Sequence, residues 1–146
     1  VTFHGPGQIV CYPLIDLKRT RRDIGWYMRG LEEVVIRTLS TYGVRGTRIP
    51  GKTGVWIAQD GEVICERKIA SLGVKLSRWC AMHGFALNVT DECLSGFSLI
   101  HPCGFTDISV TSIAKESNAP APSLNAVCHD IARHFCDVFS YEHTAR

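Results

Sequence analysis

The chain has 146 residues, 45% of them hydrophobic and 21% charged. That size and balance suit one domain with a real core and exclude a disordered or collagen-like polymer. Sixteen Lys and Arg against fourteen Asp and Glu leave a formal charge of +2, too little to imply a nucleic-acid partner, and the apolar runs are too short to span a membrane as a helix.

From the N-terminus, V-T-F-H reads as the middle of a strand that breaks at the Gly-Pro-Gly turn of H-G-P-G-Q. The expectation is therefore a single domain over 1–146, truncated at its N-terminus, with any targeting segment lost upstream. I-V-C-Y-P-L-I follows as a short strand, its internal Pro13 favouring an edge or a strand end. L-K-R-T-R-R (Leu17 to Arg22) reads as a solvated basic loop. The spacing of Tyr27, Met28, Leu31, Val34, Val35, Leu39 and Tyr42 predicts a helix over about 23–42, with Asp23 as N-cap, Gly43 as stop, and Glu33 one turn from Arg37.

Gly43 to Gly54 reads as a glycine-rich connector. V-W-I-A-Q-D-G-E-V-I-C then has the pattern of a hairpin turning at Asp60-Gly61. K-I-A-S-L-G-V-K-L-S alternates, placing Ala70, Leu72, Val74 and Leu76 on one buried face and Ser71, Gly73, Lys75 and Ser77 on the other. H-G-F-A-L-N-V alternates through Phe85, Leu87 and Val89. A-P-A-P-S is a linker, and Ser123 caps a last helix whose stripe is Leu124, Val127, Ile131, Phe135 and Val138. Strands in the middle flanked by helices predict an α+β or mixed α/β fold, with a mixed sheet.

The seven cysteines, at 11, 65, 80, 93, 103, 128 and 136, contain no C-x-x-C pair, which argues against a zinc ribbon or a thioredoxin-type motif. Their odd number suggests reduced thiols. Cys103 stands apart, set between Pro102, which stiffens the approach, and Gly104, which clears it. A cysteine reacts as thiolate and needs exposure plus a cation or base. Spacing alone leaves Lys68, Lys75, His83, His101 and Lys115 all open as that partner. The other six cysteines read as structural. A metal site on His83, His101 and Cys103 has no supporting spacing, and His129, His134 and Cys136 do not share one helical face, so no metal is expected.

Taken in order, V-T-F-H-G-P-G-Q, T-G-V-W, R-K-I-A-S-L-G-V-K-L-S-R-W, H-G-F-A-L-N-V and P-C-G…V-T-S are far more specific than any one part. Together they resemble the octanoyltransferase, or lipoyl(octanoyl) transferase, family, relatives of the biotin and lipoate protein ligases, over about Val1 to Lys115. The resemblance implies a biotin/lipoate-ligase-like fold. It implies transfer of an octanoyl group from acyl carrier protein to a lysine of a lipoyl domain, through an acyl-enzyme on Cys103. Lys68 would lower the thiol pKa and carry protons. Val1, Thr2, Phe3 and His4, with Ser71, Leu72, Gly73, Gly84, Phe85 and Ala86, would bind the acyl chain, each of whose methylenes is worth about 0.8 kcal/mol on burial.

No cofactor beyond the carrier's phosphopantetheine is implied. The implied partners are octanoyl-acyl carrier protein, the lipoyl domains of 2-oxoacid dehydrogenase complexes and the glycine cleavage H protein, with no nucleic acid or membrane, for a monomer in mitochondria, or alternatively in plastids or the bacterial cytoplasm. Two departures from the family pattern stand out: its Arg-Gly-Gly before V-T-F-H is absent, and A-Q-D-G-E-V-I-C-E reads as an inserted hairpin. They leave a second reading, a catalytically incomplete form that binds carrier protein or lipoyl domains without turnover. A ligase that activates free lipoate with ATP would have no need of the Pro-Cys-Gly nucleophile.

Overall fold

The computed structural model describes residues 4–57, 67–99 and 109–142. The strand expected at I-V-C-Y-P-L-I is two pieces, β1 (Gln8–Cys11) and β2 (Ile15–Asp16), both antiparallel to β6 (Cys80–Asn88). Pro13 lies in the break between them, where its missing N–H removes no ladder bond.

α1 (Ile24–Thr41) begins at Asp23, whose carboxylate accepts from the Trp26 N–H at 2.9 Å, and stops before Gly43 at φ +70°. Of its expected stripe Tyr27, Leu31, Val34, Val35 and Leu39 are buried and Met28 and Tyr42 half-buried, and Glu33 pairs with Arg37 at 3.0 Å. Glu32 is buried too, and that was not expected. It takes Arg29 at 2.7 Å and Arg48 at 3.1 Å, so the carboxylate enters the interior already neutralised. Lys18, Arg19, Arg21 and Arg22 are exposed, as the basic loop requires, while Leu17 is buried.

The stretch read as a connector is largely a hairpin. β3 (Gly46–Ile49) and β4 (Lys52–Ile57) are antiparallel and turn at Pro50-Gly51, with Gly51 at φ +80°. A dense run of glycines masked the two short strands, because their pairing depends on partners distant in sequence. β4 continues antiparallel to β5 (Arg67–Ser77). The Asp60-Gly61 turn, the inserted hairpin over 58–66 and Cys65 lie outside the described residues.

The sheet order is β1-β6-β5-β4-β3, with β2 beside β6 and β7 (Ser109–Val110) parallel to β5, making it mixed as expected. A 3-10 helix (Asp91–Leu99) and α2 (Ile113–Glu116) follow β6 and β7. α3 (Leu124–Phe139) is capped by Ser123, whose hydroxyl accepts from the Ala126 N–H at 3.2 Å.

α1 and α3 pack together on one face of the sheet, against Ile9, Val55, Ala70, Phe85 and Leu87. Trp56 and Ala86 are equally buried but lie outside that cluster. They belong to the opposite face, and this is the face on which the site forms. Two expected alternations are incomplete. Leu76, expected inside, is 37% exposed near the end of β5, and Leu124 is 40% exposed in the first turn of α3. Along β6, Gly84, Ala86 and Asn88 are buried as well as Phe85 and Leu87, so both faces of that strand are covered.

Candidate functional site

Simple alternation along β5 would put Lys68 on the same face as Ala70 and Leu72, against the helices. The register prevents this. Val55 pairs with Ala70, but Trp56 pairs with Lys68, so one step along β4 spans two steps along β5. That irregularity is a β-bulge. It leaves Ile69 and Ala70 both in the helix-face core and turns Lys68 beside Trp56 on the other face.

Lys68 is only 8% exposed, and its Nζ lies 5.1 Å from the centre of the Trp56 ring. Its stem crosses β4 over Gly54, where an added Cβ would sit 2.6 Å from Lys68 Cε. A buried ammonium needs such company, because desolvation alone would favour loss of its charge.

On the same face, the register aligns Ser71 with Ala86 and Gly73 with Gly84. These cross-strand pairs form a floor without bulky side chains. Among the described residues, a Cβ on Gly73 would meet nothing within 4 Å, which leaves space above it. Gly84 is small for another reason: the Cys11 carbonyl and Pro13 Cδ, at 2.8 Å, occupy the place of its side chain. Leu72 and Phe85 pair with each other on the helix face. They support the floor from beneath, and of the residues expected to touch ligand these two are turned away.

His4 stands at the β1 edge of this face in a hydrogen-bonded chain. Asn88 Nδ2 donates to the Thr111 carbonyl at 2.9 Å, and Gln8 Nε2 donates to Asn88 Oδ1 at 2.9 Å. A carbonyl can only accept, so the direction propagates: Gln8 Oε1 accepts from His4 Nδ1 at 2.8 Å, and His4 Nε2 accepts from the Tyr12 hydroxyl at 3.0 Å. Thr111 in turn donates its N–H to the Lys68 carbonyl at 3.0 Å. Gln8, Tyr12 and Asn88 were not singled out from the sequence. The signal available was their place inside H-G-P-G-Q, I-V-C-Y-P and A-L-N-V.

A second tie fixes the start of β5. Arg67 donates to both oxygens of Glu116, at 2.8 and 3.1 Å, and the Thr111 hydroxyl donates to Glu116 Oε1 at 2.6 Å. Glu116 thus joins the strand carrying Lys68 to the strand that follows residues 100–108. Cys103, His101, Pro102 and Gly104, with Val1, Thr2 and Phe3, lie outside the described residues.

Among the thiols described, burial pushes Cys11 up to about 11, helped by the neighbouring Cys128, and burial likewise raises Cys93 to about 11. Both suit structural roles; Cys80 and Cys128 are exposed and fill no core. Among the described residues, no three His, Cys, Asp or Glu gather to hold a metal, and no helix is long and apolar enough to cross a membrane.

Comparison with known proteins is consistent with this arrangement. The model of the lipoyl protein ligase A/B catalytic domain matches residues 1–136. Octanoyltransferases are similar in sequence: that of Nostoc punctiforme is 46% identical over 97% of this chain and 57% of its own length, and that of Solibacter usitatus 49% identical over 97% and 60%. The chain therefore spans somewhat more than half the length of the curated relatives it matches. Among solved structures, biotin protein ligase from Aquifex aeolicus superposes with a TM-score of 0.67 at 13% identity, covering 92% of this chain and 53% of that one. A bipartite lipoate protein ligase from Thermoplasma acidophilum gives 0.67 at 16%, covering 98% and 55%. At such identities the structures establish a shared fold, the ligase-like α+β architecture expected from the sequence.

Proposed function

The chain belongs to the lipoyl protein ligase A/B catalytic-domain family, and from that premise we propose that the protein transfers an octanoyl group from acyl carrier protein to a lysine of a lipoyl domain. The observation that carries the reading is the bulge at Lys68, which removes a lysine from the core and sets it at one end of a floor of small residues.

In this reading the Cys103 thiolate attacks the carrier's thioester carbonyl. The carbon–sulfur bond to the carrier breaks, and the departing thiolate takes a proton from the Lys68 ammonium. The acceptor lysine then attacks the Cys103 thioester as a neutral amine. Its proton passes to the Lys68 amine as the bond to Cys103 breaks, restoring thiolate and ammonium. Each atom and charge returns to its start, so no cofactor is consumed. The acyl chain lies extended over Ser71, Gly73 and Ala86, with His4 and its hydrogen-bonded neighbours along one side; Gly84, expected to touch it, is instead covered by Cys11 and Pro13. The partners are octanoyl-acyl carrier protein and lipoyl domains, including the glycine cleavage H protein; the protein acts as a monomer, in mitochondria.

Intact-mass measurement after incubation with octanoyl-carrier protein tests the proposal. An octanoyl adduct that is lost in Cys103→Ser and slowed at least tenfold in Lys68→Ala supports it. Unmodified wild-type protein that still binds carrier protein or lipoyl domain would instead identify a non-catalytic binder.

A further inference from the structure

We propose that Trp56 and Gly54 are positioning residues that hold the Lys68 ammonium in place for its proton transfers, Trp56 with its π face and Gly54 by leaving space; this rests on Lys68 being the proton carrier. Both come from the T-G-V-W run, which the proposed chemistry otherwise leaves without a role. Gly54, Trp56 and Lys68 share the sheet face opposite the helices. The bulge sets Lys68 directly across from Trp56, and the lysine stem passes over Gly54 before Nζ reaches 5.1 Å from the ring centre. Gly54 has φ +132°, a conformation that strains any residue with a Cβ. Backbone and side chain thus both require glycine there.

Two observations favour the indole over any apolar filler. First, the ring serves cations: Lys52 Nζ also lies over it, at 5.8 Å. Second, Trp56 is 1% exposed, and its Nε1 has no hydrogen-bond partner among the described residues. If volume alone were needed, Leu or Phe would fill it without burying an N–H. The chemistry also suits the task. A π face attracts the cation and has no lone pair with which to take its proton.

The test uses the wild type with Trp56→Phe, Trp56→Leu and Gly54→Ala. Initial rates of Cys103 octanoylation should fall about tenfold in kcat for Trp56→Leu, with KM for octanoyl-carrier protein changed less than twofold, whereas Trp56→Phe should stay within about threefold of wild type. Equal losses in Phe and Leu, or a Leu variant at the wild-type rate, would overturn the proposal. Because Trp56→Leu opens a cavity and can fail to fold, a measurement on the wild type stands beside it. In proton–carbon NMR spectra, the Lys68 ε-methylene should be shifted upfield of those of Lys18, Lys75 and Lys115 by the Trp56 ring current, its signal assigned by its loss in Lys68→Ala. An unshifted Lys68 signal overturns the proposal. If wild type forms no adduct, the functional reading fails, and the Lys68 signal still decides whether Trp56 holds the lysine.

Discussion

A methyl group at Gly54 would sit 2.6 Å from Lys68 Cε and 2.8 Å from the Ala70 carbonyl oxygen, at a φ of +132°. The lysine tip can move aside, but the carbonyl belongs to the β5 ladder and cannot. Gly54→Ala should therefore lower stability by about 1–3 kcal/mol, read from the urea midpoint, and slow Cys103 acylation as Lys68 is displaced. The cysteines give a second prediction at this scale. With Cys11 and Cys93 raised to about 11, their thiols stay protonated at pH 8 and react with iodoacetamide only as pH nears that value. Exposed Cys80 and Cys128 should be alkylated before Cys11 and Cys93, and mass spectrometry of peptides across a pH series gives the order. Rapid labelling of Cys93 at pH 8 in folded protein would contradict its burial.

Among the elements, α1 is tied to the β3–β4 hairpin by charge rather than by its apolar stripe alone. Glu32 takes Arg29 and Arg48, and Glu33 takes Arg37 and Arg48. Glu32→Ala would leave Arg48 without its buried partner and should cost about 3 kcal/mol in thermal or urea unfolding, with Glu32→Gln milder. Hydrogen bonds from Arg48 and Arg37 hold the Glu33 carboxyl below the usual carboxylate range. Its folded pKa is thus lower than its unfolded one. The stability it supplies is present above the unfolded value and fades as pH falls through the folded value. The melting temperatures of wild type and Glu33→Gln should differ most near neutral pH and converge in acid. At this scale the two long helices were legible: Asp23, Gly43 and Ser123 mark their ends by local chemistry that needs no tertiary partner. β3 was not, because a four-residue strand among glycines carries too little periodicity to separate it from a loop.

For the molecule as a whole, Glu116 is the joint between the strand that bears Lys68 and the chain leaving residues 100–108. Its carboxylate receives Arg67 twice and Thr111 once. Glu116→Ala should cost about 2 kcal/mol, typical of charge-assisted bonds at a partly buried site, and should speed hydrogen exchange at the Thr111 N–H, which is bonded to the Lys68 carbonyl. An unchanged exchange rate would show that β5 and β7 hold together without the clamp. The amino-acid sequence by itself did not show the 3-10 helix or α2, but it determined the two long helices with their caps, the class of fold, the family through its ordered motifs, and Lys68 as a residue of interest. It could do so because capping, helical period and motif order are local or collinear properties. Alternation along β5, however, would put Lys68 against the helices, and the family resemblance put Leu72 and Phe85 among the ligand contacts. Only the tertiary structure decided these. A β-bulge is a mismatch between two strands, so it exists in neither strand alone; here it turns Lys68 out of the core, onto Trp56 and over Gly54.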